Sequence, residues 1–175
     1  MTVIGVVSDT HLPRFGRALP RALEAGLREA GVERILHLGD MTDLLAVPLF
    51  EAIAPLDAVA GNNDGDEIRK RFGRRRVVRV EDVRIGMVHG DGKSGTTEER
   101  ALAAFDAADV DVVLFGHSHR PLVRREGKVL LANPGSPTDK RFNPRYSYAI
   151  LTVDASKADV DLRYYWSRET DERRG

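Results

Sequence analysis

The stretch Val112-Val113-Leu114-Phe115-Gly116-His117-Ser118-His119 governs the reading of this chain: an apolar run, one glycine, then two histidines a residue apart. Four consecutive apolar residues ahead of a glycine predict a strand buried on both faces that ends in a sharp turn. The whole chain has only five histidines, so two in one short loop are unexpected by chance. In extended backbone, side chains two apart project to the same side, which would aim both rings at one place. Gly116 leaves space for something to approach. Taken alone, the loop reads equally well as a pair of surface histidines, and the other histidines have to decide.

Upstream, the same arrangement recurs. The β-branched run Val3-Ile4-Gly5-Val6-Val7 predicts a buried strand that ends in Ser8-Asp9-Thr10-His11. Residues 34–38 predict a second strand running into Gly39-Asp40, and residues 56–60 a third running into Gly61-Asn62-Asn63-Asp64. Between them, Leu19, Leu23 and Leu27 at four-residue spacing predict an amphipathic helix over 19–30, closed by Gly31, and a short helix is expected over 42–50. Residues 77–80 and 83–88 predict a hairpin across Glu81-Asp82, whose second strand ends in His89-Gly90-Asp91-Gly92. Thr96 and Glu99 form a capping-box pattern for a helix reaching about residue 107. Beyond the two-histidine loop, strands are expected over 122–125, 129–132, 147–153 and 159–166. Helices between early strands and antiparallel strands later predict a mixed sheet arrangement with helices outside.

Composition narrows the class. The 175 residues read as a single domain over 1–166 with a charged, frayed tail over 167–175. Formal net charge is zero, with acids and bases intermixed, so no global field draws nucleic acid or an anionic membrane. No apolar stretch is long enough to cross a bilayer, and the start lacks the layout of a signal peptide, which makes a cytoplasmic location the expectation. Cysteine is absent. Any metal must therefore be held by nitrogen and oxygen donors.

Those donors fall in a pattern. Asp9 and His11, Asp40, Asn62, His89, and His117 with His119 each lie just past a predicted strand, the place where strand-helix folds bind ligands. Each piece alone is commonplace, since an isolated Asp-x-His is more often a turn than a ligand. Together they are not. The ordered blocks Asp9-x-His11, Gly39-Asp40, Gly61-Asn62, His89-Gly90 and Gly116-His117-x-His119 resemble the calcineurin-like metallophosphoesterase superfamily. The compact length and Asn133-Pro134-Gly135-Ser136 are most similar to its small YfcE-type phosphodiesterases.

The resemblance implies an α/β, four-layer α-β-β-α sandwich, two mixed β-sheets flanked by helices, with the metal site at the strand C-terminal ends. It implies two divalent ions, most often manganese, with iron, zinc, nickel or cobalt also suited to such donors. Asp9, His11, Asp40 and His119 would hold one ion and Asp40, Asn62, His89 and His117 the other, with Asp40 bridging. The implied reaction is hydrolysis of small phosphodiesters by a metal-bridging hydroxide attacking in line, with Asn62 and His117 also touching the phosphate. Two departures stand out. Asn63 occupies a position where many superfamily members have a histidine that assists the leaving group, and an amide cannot deliver a proton. Asp91 stands where another histidine is frequent.

Other residues carry two readings each. His37 lies inside a strand and reads as a core histidine. Asp64 reads equally as a turn residue or as a support for the ligands. Asn133-Pro134-Gly135-Ser136 has turn composition. The basic run over 69–76 reads first as solvated surface and second as a steering patch for an anion. Arg14 and Arg120 follow metal blocks, so both are candidate phosphate contacts, as is Asn63, although arginine is also common on surfaces. A small phosphodiester is the expected partner, with no nucleic-acid duplex and no membrane; a homo-oligomer is compatible with the sequence. The alternative to an enzyme is an interaction scaffold of the same fold, like the related retromer subunit, which has no physical need for the donors retained here.

Overall fold

The computed structural model describes residues 1–169. Two five-stranded sheets organise the chain. The first runs, edge to edge, β10 (Lys157–Tyr165), β9 (Tyr146–Asp154), β1 (Thr2–Val7), β2 (Arg34–His37) and β3 (Leu56–Ala58). The second runs β4 (Arg75–Val80), β5 (Val83–Val88), β6 (Val112–Leu114), β8 (Val129–Asn133) and β7 (Leu122–Glu126). Both are mixed: β1, β2 and β3 are parallel, as are β5, β6 and β8, while the strands toward the other edges run antiparallel.

The apolar periodicities explain the layering. Alternate residues of β1 and β2 (Ile4, Val6, Leu36) meet Ile85, Met87, Val112 and Leu114 of the second sheet in a core between the sheets. The outer face of the first sheet, including Val7 and Ile35, is covered by α1 (Arg21–Glu29), α2 (Ala46–Glu51) and α3 (Asp66–Phe72). Helix α1 contributes Leu23 and Leu27, and α2 contributes Val47 and Phe50. On the far side, Ala101 of α4 (Thr97–Ala103) packs with Phe105, Val113 and Leu131. The result is the four-layer α-β-β-α sandwich that the resemblance implied; residue patterning had reached mixed sheets with external helices, not the division into two.

Beyond shifts of one or two residues at element ends, four local differences from expectation stand out. Helix α2 begins at Ala46, not at 42, because Thr42 takes a left-handed φ of 70° and donates its N–H to Asp64 Oδ1 at 2.7 Å. The third strand stops at Ala58, after which Val59 and Ala60 carry the chain into the site. Helix α4 ends at Ala103, short of 107, although its Thr96–Glu99 capping box forms as expected. Helix α3 occupies the first part of the basic run read as surface. Asp66 and Glu67 lie in its first turn and Arg69, Lys70 and Arg71 in its last, an order that complements the helix dipole. The hairpin of β4 and β5 pairs Val80 with Val83 as expected. Residues 170–175 of the expected tail lie outside the described residues, while Arg168 donates to Phe15 O at 2.9 Å.

Candidate metal centre

The carboxyl ends of β1, β2 and β3 in the first sheet meet those of β5 and β6 in the second. Backbone bonds carry the register past the strands: Asp9 N donates to Gly39 O, His11 N to Asp40 O and Gly116 N to His89 O, each at 3.0 Å. These turns are conformationally costly. Asp9, His11, Asp40, His117 and His119 all have positive φ, between 44° and 66°, in a region that non-glycine residues rarely occupy and that tends to mark functional sites. The two histidines of the opening stretch are thus not in extended backbone, and their rings diverge. His119 lies 5.5 Å from the His11 ring, and His117 lies 5.2 Å from the His89 ring.

The buried donors converge. In two trios, Asp9–His11–His119 and Asp9–Asp40–His89, the candidate ligand atoms lie within 4.8 Å of one another. Asp9 Oδ1 is 3.9 Å from His11 Nε2, 3.7 Å from His89 Nε2 and 3.4 Å from His119 Nε2. Asp40 Oδ2 is 3.5 Å from His11 Nε2 and 3.4 Å from His89 Nε2. Both carboxylates therefore stand between the histidines, where the resemblance reserved that place for Asp40. His117 is half-buried and faces Asn62, its Nδ1 lying 3.2 Å from the exposed Asn62 Oδ1.

Whether these residues suit a cation can be tested by their hydrogen bonds. Among the described residues, the buried side-chain polar atoms without a partner are Asp9 Oδ1, His11 Nε2, His89 Nε2 and His119 Nε2. Leaving such atoms unsatisfied costs about 1–3 kcal/mol each, and all four point into one place. The opposite edges of the same side chains are occupied. Asp9 Oδ2 accepts from Ser8 Oγ at 2.7 Å and from His117 N at 3.0 Å. His89 Nδ1 donates to Leu38 O at 2.7 Å and His119 Nδ1 to Asp139 O at 2.6 Å, which leaves each Nε2 as a lone-pair donor. The donor set fits divalent ions.

Electrostatics agree. Burial works against ionising Asp9 and Asp40, yet the neighbouring imidazoles hold both carboxyls below their ordinary range. Burial also opposes charge on His89 and His119, but Asp40 and Asp9 outweigh it, lifting His89 to about 9 and His119 above its usual value. His11 and His117 are pushed down, chiefly by burial. With no ion bound, the two carboxylates therefore draw protons onto the His89 and His119 Nε2 atoms, and a divalent cation would take the place of those protons.

Supporting contacts come from residues that the sequence left ambiguous or silent. Asp64 accepts from Asp40 N and Gly61 N through Oδ2 and from Thr42 N through Oδ1, so it shapes the turns that carry Asp40 and Asn62. Asn133 donates to Gly116 O and Ser118 Oγ, bracing the two-histidine loop. Ser136 Oγ donates to Asp9 O, and Thr138 Oγ1 to Thr10 O. Asn143 Nδ2 donates to His119 O at 2.7 Å; the Asn133–Ser136 motif hinted at this brace, while Thr138 and Asn143 lay in loop sequence with no motif to mark them. Gly116 is required sterically, because a Cβ there would lie 1.9 Å from Ser8 Oγ. The candidate phosphate contacts divide. Arg14 and Arg120 are exposed, and neither forms an ion pair with a described residue. Asn63 is also exposed but is tied to the cluster, donating its backbone N–H to Asp40 Oδ1 at 2.9 Å and its side-chain Nδ2–H to Asp40 Oδ2 at 2.8 Å. His37 is fully buried in β2 and outside the donor cluster.

Known proteins resemble this chain in sequence and fold. Residues 1–156 match the calcineurin-like phosphoesterase superfamily domain. A probable metallophosphoesterase of Methanothermobacter thermautotrophicus is 34% identical over 165 residues, 91% of each chain. A solved archaeal phosphodiesterase superposes with a TM-score of 0.70 at 25% identity, covering 92% of this chain and 99% of that one. Vps29 of Chaetomium thermophilum has the same fold, with a TM-score of 0.77 at 22% identity over 94% of this chain and 97% of its own. Strand ends that deliver this donor set, on a chain matched from Met1 onward, make the protein a member of the calcineurin-like phosphoesterase superfamily.

Proposed function

We propose that the protein is a metal-dependent phosphodiesterase acting on small phosphodiesters. The observation that carries this reading is the convergence of four buried, unpartnered donor atoms from Asp9, His11, His89 and His119. A scaffold of the same fold gains nothing from that cost, although the likeness to Vps29 keeps it as the alternative reading.

Asp9, His11, Asp40 and His119 would hold one divalent ion, and Asp40, Asn62, His89 and His117 a second, with manganese the leading choice. Bound there, the ions supply Lewis-acid polarisation of a phosphoryl group and lower the pKa of water into the neutral range. The chain's own part is positioning. The Nδ1 bonds of His89 and His119 fix their tautomers and ring planes. Asn62 and His117 lie at the less buried side of the donor cluster and would receive the phosphate. Arg14 and Arg120 supply exposed guanidinium groups suited to phosphate oxygens. Asn63 orients Asp40 and offers no proton, so substrates with acidic leaving groups are favoured.

Hydrolysis of bis(4-nitrophenyl) phosphate with added manganese tests the reading. Asp40→Asn is expected to lower kcat/KM by more than about 100-fold, beyond the loss usual for a residue that only supports a ligand. Equal inactivity of wild type and variant across manganese, zinc, nickel and cobalt would count against an enzyme. A strong preference for an aryl monoester would redirect the reading to a phosphomonoesterase.

A further inference from the structure

The loop that follows β8 clamps one half of the metal centre. Ser136 Oγ donates to Asp9 O at 2.8 Å and Thr138 Oγ1 to Thr10 O at 2.7 Å. His119 Nδ1 donates to Asp139 O at 2.6 Å, and Asn143 Nδ2 returns a bond to His119 O at 2.7 Å. Phe142 lies between the last two anchors and is entirely exposed, at 103% of its reference surface. It contributes nothing to any core cluster, yet the loop that presents it is tied at four points to the ligand-bearing turns.

A second aromatic stands on the same half. The Phe15 ring meets His11 edge-on at 6.4 Å, and the guanidinium groups of Arg14 and Arg168 lie 5.3 and 5.6 Å from its centroid. Phe15 thus contacts His11 and the Phe142 loop contacts His119, and since those two rings are 5.5 Å apart both belong to the same half of the donor cluster. The opposite side, around His89 and His117, is polar, with Asn62, Asn63 and the Asp91–Arg74 ion pair at 2.7 Å. The site is therefore asymmetric: donors in the middle, aromatic and cationic groups on one flank, polar groups on the other. Flat rings stack on exposed aromatic side chains with little regard to their identity.

We infer that Phe142 is a specificity-determining residue that stacks on an aromatic ring of the substrate, so that the preferred diesters carry a nucleoside or aryl group beside the phosphate. The inference rests on the phosphodiesterase reading for its substrate and on the loop geometry for its residue. Thymidine 5′-(4-nitrophenyl) phosphate and ethyl 4-nitrophenyl phosphate share a leaving group and differ in whether the retained ester bears a ring. Wild type prefers the thymidine ester, mainly through KM. Phe142→Ala lowers the thymidine-to-ethyl ratio of kcat/KM about tenfold, and Phe142→Trp restores it. An unchanged ratio in Phe142→Ala overturns the inference. In protein carrying ring-13C phenylalanine, the resonance missing from Phe142→Ala shifts on titration with thymidine 5′-phosphate and not with methyl phosphate; equal responses to the two also overturn it. The titration needs no turnover. Inactivity on both esters would thus sink the phosphodiesterase reading while leaving the stacking test decisive.

Discussion

His37 sits in the first sheet at 0% exposure, and its two ring nitrogens define its protonation state. Nδ1 accepts from Gly39 N at 3.2 Å, so the ring proton is on Nε2, 3.0 Å from Thr10 Oγ1. A second proton would displace the Gly39 bond inside a desolvated core. Burial accordingly lowers this histidine from 6.5 to about 4. The unfolded chain then binds the extra proton at a higher pH than the folded one, so between those values stability rises with pH. The contribution is complete above pH 6.5 and fades as pH falls toward 4, reaching on the order of 3 kcal/mol. Because the raised His89 and His119 act in the opposite direction in metal-free protein, the loss is read as the difference in urea midpoint between wild type and His37→Gln at pH 7 and at pH 5, with the variant losing less on acidification. A variant with the same acid sensitivity as wild type would assign that sensitivity to other groups. The sequence placed His37 in the core because it lay within a strand; the depressed pKa needed the packed surroundings.

At the scale of elements, the ends of β2 and β3 are joined by one carboxylate. Asp64 receives N–H groups from Asp40, Thr42 and Gly61 at 2.7–2.8 Å, and it is 2% exposed. Removing it strands three backbone donors, at roughly 1–3 kcal/mol for each that finds no water. Asp64→Ala should therefore destabilise the fold by about 2–4 kcal/mol in urea titrations. It should also reduce bound metal, measured by plasma emission on protein purified without chelator, because Asp40 and Asn62 ride on the turns it holds. Full metal content in the variant would restrict Asp64 to a purely structural part. Asp64 was ambiguous in the sequence for a plain reason: an acceptor beside a Gly-Asn-Asn turn looks the same whether it bonds its own loop or the next one. The missed α3 makes a similar point, since a dense basic run hid a short helix whose acidic first turn lies just ahead of it.

For the whole molecule, the metal centre is the place where the two sheets are joined at their ends. Asp9, His11, Asp40 and Asn62 follow strands of the first sheet, and His89, His117 and His119 follow strands of the second. An ion bound by both groups favours only the state in which the sheets are docked. Manganese at about a hundred times its dissociation constant should raise Tm by ~5–10 °C over chelated protein, scaling from the usual shift for a chain of this size. Asp40→Asn should remove most of that rise, and an unshifted wild-type Tm would undercut metal binding by this site. The strands, the amphipathic helix α1, the capping box of α4 and the order of the donor blocks were all legible in the chain, because each depends on periodicity or on neighbours a few residues apart. Residue patterning alone did not reach three things, although the resemblance implied the two sheets and the grouping of the histidines: which strands join which sheet, the left-handed turns that send His119 toward His11 and His117 toward His89, and the brace that runs from Ser136 to Asn143. These depend on contacts between segments far apart in the chain, and only tertiary packing brings such segments within hydrogen-bonding reach.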